Sequence, residues 1–380
     1  MKFLRNILDK IEPNFKEGGR FSFLESTYDA FATFLFVPNH TTKSGAHIRD
    51  AIDLKRTMSM VIIALVPAIL FGMWNVGHQH YLSHQIVDAS FFEKFWYGFL
   101  KVLPLIVVSY VTALSIEFAA AQIRRHQVNE GVLVSGMLIP LIVPPDIPLW
   151  MLSLATAFAV IIGKEVFGGT GMNVFNPALL TRAFLFFAYP QHMSGDNVWI
   201  SNQGDAVTGA TPLAEAAAGQ DISLSSWDMF LGFMPGSVGE TSTLAILLGA
   251  FFLIFTGIGS LRVMLSVFAG GYLMGLLFNL WGANEFMLMP AHYHLIVGGF
   301  AFGAVFMATD PVSASQTNTG KYIYGFLIGI IAVLIRVINP AYPEGMMLAI
   351  LFMNTFAPLI DHYVVGANIK RRMKRALTQK

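Results

Sequence analysis

Apolar runs separated by short polar stretches fill most of the chain. A helix needs about 20 predominantly apolar residues to cross a hydrocarbon core about 30 Å thick. Ten runs meet or approach that length: 57–77, 99–121, 131–144, 148–167, 174–190, 241–258, 261–281, 293–309, 322–338 and 344–365. The pattern predicts an all-α polytopic membrane protein with about ten transmembrane helices. The third run is short and ends at Pro144-Pro145, which suits a broken or re-entrant segment. The fifth is short too, and nine or eleven crossings also fit. A long polar insert, 191–240, separates the fifth run from the sixth. Residues 1–56 are too polar to span, but F-L-R-N-I-L-D-K-I and Y-D-A-F-A-T-F-L-F have amphipathic character. Such segments suit the membrane surface or a soluble partner.

Composition supports the bilayer as solvent. The chain is 55% hydrophobic and 12% charged, with 33 Phe, whereas soluble domains carry about 25% charged residues. A net charge of +1 argues against a nucleic-acid partner. With no cysteine, the chain by itself holds neither a thiolate-ligated iron–sulfur cluster nor a disulfide. The stretch from Lys2 to Arg56 lacks the apolar core of a signal peptide.

Charge bias orients the spans. Residues 1–56 hold nine Lys/Arg and residues 370–380 hold six, so both termini are expected in the cytoplasm, with an even number of spans. Arg124 and Arg125 follow the second run, again inside. The insert from Ala188 to Glu240 has six acids and no Lys or Arg. Ten spans put it outside, and so does its charge. The expected organisation is a cytoplasmic segment 1–56, a first transmembrane repeat 57–190, an extracytoplasmic insert 191–240, a second repeat 241–365 and a basic cytoplasmic tail 366–380.

The two halves carry matching marks. Asn176-Pro177-Ala178 and Asn339-Pro340-Ala341 lie in corresponding places, as do Asp146 and Asp310, and Gly163-Lys164 and Gly320-Lys321. Five spans per half invert the second copy, the pattern of inverted five-helix repeats with a site near the midplane. Asn-Pro is also a common turn dipeptide. Paired N-P-A motifs equally suit a solute or ion channel of the aquaporin kind, although aquaporins have three spans per half and no such insert.

The insert contains D-A-V-T-G-A-T-P-L, residues 205–213. D-x-x-T-G-A-T is the motif on which periplasmic flavin transferases place FMN. Other blocks are H-I-R-D-A-I-D-L-K-R (47–56), K-E-V-F-G-G-T-G (164–171), F-F-A-Y-P (186–190), P-G-S-V-G-E-T-S-T-L-A (235–245), F-M-A-T-D-P-V-S-A-S (306–315) and N-P-A-Y-P-E-G-M-M-L-A-I-L-F (339–352). Together they resemble the B-subunit family of the sodium-translocating NADH:quinone oxidoreductases. The related D subunits of Rnf complexes share the flavin motif but lack most of the N-terminal extension, and rank second.

The resemblance implies covalent FMN on the Thr211 hydroxyl, with Asp205, Thr208, Gly209 and Ala210 recognised by the transferase. A Thr hydroxyl can carry a phosphodiester, and Gly209 and Ala210 leave room to reach it. The plain alternative is an N-cap Thr ahead of P-L-A-E-A-A-A. The resemblance also implies non-covalent riboflavin, a quinone substrate and Na⁺. Partner flavoprotein and iron–sulfur subunits and a bacterial inner membrane complete it. The N-terminal segment could then help form a quinone pocket.

Other residues carry candidate roles. Gly239, Thr241 and Ser242 open the sixth span with free N–H groups that suit a phosphate; Glu240 would oppose it, and helix capping explains them equally. Glu117 in the second span is an acid at membrane depth, functional by default. The resemblance implies that Glu117 and Asp361 serve Na⁺ uptake; pairing with Arg124 or with a basic tail residue is the alternative. Phe302 and Phe306, four apart on one helical face, suit either a constriction in an ion path or plain packing. His292 and His294 suit the interface better than a metal, so no metal site is assigned. Arg182 is a partner for a flavin or for Asp146.

Overall fold

The structure is a computed structural model describing residues 2–16, 19–36, 42–48, 53–86, 88–124, 128, 130–204, 209–339, 342 and 344–378. Among these, every regular element is helical. Helices α1 (Lys2–Phe15) and α2 (Glu25–Leu35) occupy the two amphipathic N-terminal stretches. The first half continues with α3 (Leu54–Ser83), α4 (Phe91–Arg124), α5 (Gly131–Leu141), α6 (Leu149–Gly163) and α7 (Pro177–Ala188). The insert carries α8 (Pro212–Ala217) and α9 (Ser226–Leu231). The second half has α10 (Thr243–Phe255), α11 (Leu261–Trp281), α12 (Tyr293–Ile296), α13 (Phe300–Phe302), α14 (Asn318–Ile338) and α15 (Met346–Thr378). Six helices are long and apolar enough to cross a membrane: α3, α4, α6 with the turn after it, α11, α14 and α15. Helices α5, α7 and α10 are apolar but shorter.

The apolar run 293–309, expected as one span, is broken. It stops at Val297, Gly298 takes φ +69°, and the chain restarts at α13 before a π turn over Gly303–Met307. Irregular backbone at membrane depth persists only where protein satisfies its polar groups. Arg336 of α14 does so here, donating through Nη1 to His294 O (2.8 Å) and through Nη2 to Val297 O (3.2 Å). A second buried break follows α5, where the Gly239 N–H donates to the Leu141 carbonyl at 2.8 Å.

The paired motifs do different local work. Asn176 caps α7, accepting the N–H groups of Ala178 (2.9 Å) and Leu179 (3.3 Å), with Pro177 preset at the first helical position. Its Nδ2 donates to Asp310 Oδ2 at 3.5 Å. Asn339 ends α14, and Pro340 and Ala341 lie outside the described residues. Asp146 instead accepts from Lys101 Nζ (2.8 Å), Ser201 Oγ (2.9 Å) and the Asn202 N–H (2.8 Å), pinning the insert to α4 and to the connection between α5 and α6.

Helices α11 and α14 meet backbone to backbone. A Cβ on Gly329 would collide with the Val267 carbonyl, and one on Gly270 with that of Phe326. Small residues permit such approach between membrane helices. Gly329→Ala is therefore expected to cost about 1–3 kcal/mol through overpacking, read as a lower thermal midpoint in detergent. Gly366→Ala on α15, with nothing within 4 Å of its Cβ, keeps the parent midpoint. Equal midpoints for the two variants would contradict the close contact.

Candidate functional site

Thr211 lies where the insert folds back onto the broken run. Its backbone is extended, and its hydroxyl oxygen accepts the Ala214 N–H at 3.2 Å, capping α8 with Pro212 at the first helical position. This is the capping role that the sequence allows. It uses a lone pair and leaves the hydroxyl hydrogen available for replacement. Gly209 packs so tightly on the Asp196 carbonyl that a Cβ would collide with it, and Ala210 is half-buried. Asp205 and Thr208 lie outside the described residues.

Thr211 lines a cavity of about 440 Å³. Its walls come from α7 (Arg182, Phe186), the 193–199 loop including Trp199, the start of α8, the 234–241 loop, Gly298-Gly299 at the break, and Tyr342 with Glu344. Thr241 is on this wall. Gly239 and Ser242 are not: Gly239 packs against Leu141 and Phe302, and Ser242 caps α10 by accepting the Ala245 N–H at 3.2 Å.

Three charges meet at this cavity, those of Arg182 and Glu240 buried and that of Glu344 partly so. Arg182 Nη1 donates to Glu240 Oε1 at 2.6 Å, and Nη2 donates to Glu344 Oε2. Ser237 Oγ donates to the other oxygen of Glu240. Glu240 thus faces a guanidinium, which offsets the repulsion it would exert on a phosphate. Glu344 lies in the connection between α14 and α15, outside both helices. Burial pushes its carboxyl upward, against the pull of Arg182. Arg182 makes no ion pair with Asp146, whose partner is Lys101. Tyr342 Oη and Thr241 Oγ1 are buried with no partner among the described residues.

Of the candidate ion-path residues, Phe302 and Phe306 meet each other, while Glu117 and Asp361 have separate partners. Lys164 Nζ donates to Glu117 within the protein interior, both side chains being under 5% exposed. Arg124 pairs instead with Glu165, Nη1 to Oε2 at 3.2 Å. Asp361 accepts four hydrogen bonds, from Ser315 Oγ (2.7 Å), Gln316 N–H (2.7 Å), Thr317 N–H (3.0 Å) and Thr317 Oγ1 (2.6 Å), clamping the start of α14 to α15. The Phe302 and Phe306 rings are buried, with centroids 5.0 Å apart at 50°. Phe306 sits in the π turn, a deformation frequent at functional sites. A second, smaller cavity of about 90 Å³ is lined in part by Lys164, Asn176, Phe306 and Asp310. His294 is buried and His292 exposed. Among the described residues no group of three or more His, Cys, Asp or Glu could hold a metal.

The sequence reading missed Lys164, Arg336, Tyr342 and Glu344 as functional candidates. Arg336 carried the signal that selected Glu117, a charge inside an apolar run. Tyr342 and Glu344 stood inside a recognised block without a role.

A family model matches residues 41–370. The chain belongs to the NQR2, RnfD, RnfE family. Its relatives include proteins named as the B-subunit of Na(+)-translocating NADH-quinone reductase. The one from Chromohalobacter salexigens is 50% identical over 400 residues, covering 98% of this chain and 96% of that protein. The one from Pseudomonas aeruginosa (strain LESB58) is 50% identical over 401 residues, covering 98% and 99%. That from Azotobacter vinelandii is 49% identical over 401 residues, with the same coverage. The family resemblance read from the sequence blocks therefore holds.

In this family member Arg336→Met removes the donors to His294 O, Val297 O and Glu344 O. Orphaned buried carbonyls are expected to cost about 3 kcal/mol or more in sum. The thermal midpoint and the yield of folded protein both fall; an unchanged midpoint would show that the break is held by other contacts.

Proposed function

We propose that this protein is the membrane redox subunit of a sodium-translocating NADH:quinone reductase and that FMN is joined through its phosphate to Thr211. The observation that carries the flavin assignment is the position of the Thr211 hydroxyl on the wall of a cavity of about 440 Å³. A turn with no void beside it would leave the ring in solvent. The groups present fit the cofactor: an acceptor hydroxyl, a buried guanidinium, two unpartnered hydroxyls, and Phe186 and Trp199 as apolar walls. Bound FMN supplies one- and two-electron redox chemistry. The chain's own residues tether it, orient it and exclude water. Asp146 and its partners hold residues 201–202 in place just before the acceptor motif.

The insert faces the extracytoplasmic side, where a periplasmic flavin transferase works, and both termini face the cytoplasm of a bacterial inner membrane. The ten-span, inverted-repeat organisation belongs to this reading and is supported by charge bias and by the paired motifs. Iron–sulfur chemistry belongs to a partner subunit, because this chain has no cysteine, and NADH oxidation to a partner flavoprotein, because Gly168-Gly169-Thr170-Gly171 lacks the strand context of a dinucleotide fingerprint. FMN and non-covalent riboflavin would supply the redox chemistry between those partners and quinone, coupled to Na⁺ export. The smaller cavity has roughly a fifth of the volume of the one beside Thr211 and takes a three-ring flavin only if its side chains part. Phe302 and Phe306 form the constriction on the ion path. Glu117 serves Na⁺ uptake in exchange with Lys164, whose ammonium occupies its carboxylate in this conformation. Asp361 serves the same path at the loop that it clamps.

Thr211→Ala is expected to abolish the fluorescent band of the denatured protein under ultraviolet light while the protein stays in the membrane. A mutant band that still glows would refute the attachment site. A solute channel would be dark before mutation.

Glu117→Ala is expected to raise severalfold the Na⁺ concentration for half-maximal quinone reduction, with covalent flavin per protein unchanged. Glu117→Gln gives a milder defect of the same kind. If half-saturating Na⁺ stays constant and only yield falls, the pair with Lys164 is structural and the Na⁺ role is lost.

A further inference from the structure

Tyr342 and Thr241 are 5% and 3% exposed, both line the Thr211 cavity, and neither Tyr342 Oη nor Thr241 Oγ1 has a partner among the described residues. Buried hydroxyls are normally paired, so two orphans on one wall call for an explanation. The Tyr342 ring is held in place. It stands edge-on to Phe186, with centroids 4.5 Å apart at 69°, and its backbone N–H donates to Asn339 O at 3.0 Å. The charged groups beside it are already matched: Arg182 serves Glu240 and Glu344, and Arg336 donates to the Glu344 carbonyl. The wall therefore offers two neutral hydroxyls beside a locked ion trio. That set suits the uncharged, carbonyl- and nitrogen-bearing edge of a flat heteroaromatic ring better than it suits a second anion.

We propose that the Tyr342 and Thr241 hydroxyls hydrogen-bond the polar edge of the flavin ring, and that Tyr342 thereby helps set its midpoint potential. The proposal rests on the reading of Thr211 as the FMN attachment site. Electrons entering the ring make its carbonyl and nitrogen acceptors more negative. A hydrogen bond donated to them strengthens on reduction, so Tyr342 favours the reduced flavin. Contact with the ribityl chain would have no such effect, because that chain does not take up the electrons.

The test uses the purified complex with Tyr342→Phe and Thr241→Val, each read separately. Neither change removes a side-chain hydrogen bond made within the protein, so folding is expected to be preserved. Covalent flavin is measured by in-gel fluorescence. Its absorbance spectrum and redox titration are isolated by difference from the Thr211→Ala complex. Tyr342→Phe is expected to keep covalent flavin at the parent level and to shift the ratio of oxidised to reduced flavin at fixed ambient potential toward oxidised. One lost hydrogen bond corresponds to a shift of up to about tenfold, ~30 mV for a two-electron couple. Thr241→Val is expected to alter the spectrum with a smaller shift of the ratio. If one variant fails to accumulate, the other decides. Unchanged spectra and ratios overturn the proposal. Loss of covalent flavin in Tyr342→Phe also overturns it, by assigning the hydroxyl to transferase recognition. A parent protein without covalent flavin, or a Thr211→Ala protein that keeps it, sinks the attachment reading instead.

Discussion

The guanidinium of Arg182 lies between Glu240 and Glu344, and its two arms tie together stretches 58 and 162 residues away in the chain. It joins α7 of the first half to the loop before α10 and to the connection before α15. Three charges taken out of water are tolerable only when each is paired and hydrogen-bonded, and deleting one partner of such a set costs about 3–5 kcal/mol. The same clamp dictates a neighbour. A Cβ on Gly299 would lie 2.5 Å from Glu240 Oε1 and 2.6 Å from Glu344 Oε1, so only glycine lets both carboxylates reach Arg182 over the break.

The break itself creates the cavity. Ending α12 at Ile296 and restarting at Phe300 leaves Gly298-Gly299 backbone as wall where a continuous helix would project side chains. The carbonyls freed by this arrangement are taken up by Arg336, a fully buried cation that works on backbone oxygens. The two arginines divide the labour: Arg182 balances charge, and Arg336 satisfies backbone. Gly239 links the cavity loop to the α5 break through Leu141 and lies against Phe302. Gly239 thus lies between the loop that walls the Thr211 cavity and the Phe302–Phe306 ring pair.

The two acids selected from the sequence have different surroundings. Glu117 is enclosed and balanced by Lys164, so exposing its oxygens to a cation requires the ammonium to leave. Asp361 is held by four donors from one loop at the start of α14. Its carboxylate already organises a turn of backbone, and an ion approaching it meets a site shaped by that turn.

Runs of apolar residues determined that the chain is helical and membrane-bound, because an uninterrupted apolar run of about 20 residues crosses hydrocarbon as a helix with its backbone bonds satisfied internally. The D-x-x-T-G-A-T motif and its flanking blocks likewise identified the family, since short local patterns survive in one dimension. Even the capping of α8 by Thr211 was readable from a Thr-Pro followed by helix formers. The run 293–309 looked like a span because hydropathy does not register a paired glycine as a break. Only tertiary structure supplied the partners. Nothing local connects Lys164 with Glu117, or Arg182 with Glu240 and Glu344, because each pair forms between segments far apart in the chain that packing alone brings together. Only tertiary structure, too, set Tyr342 and Thr241 on the wall that Thr211 faces: a cavity is a property of the space between elements, and the order of residues along one chain does not record it.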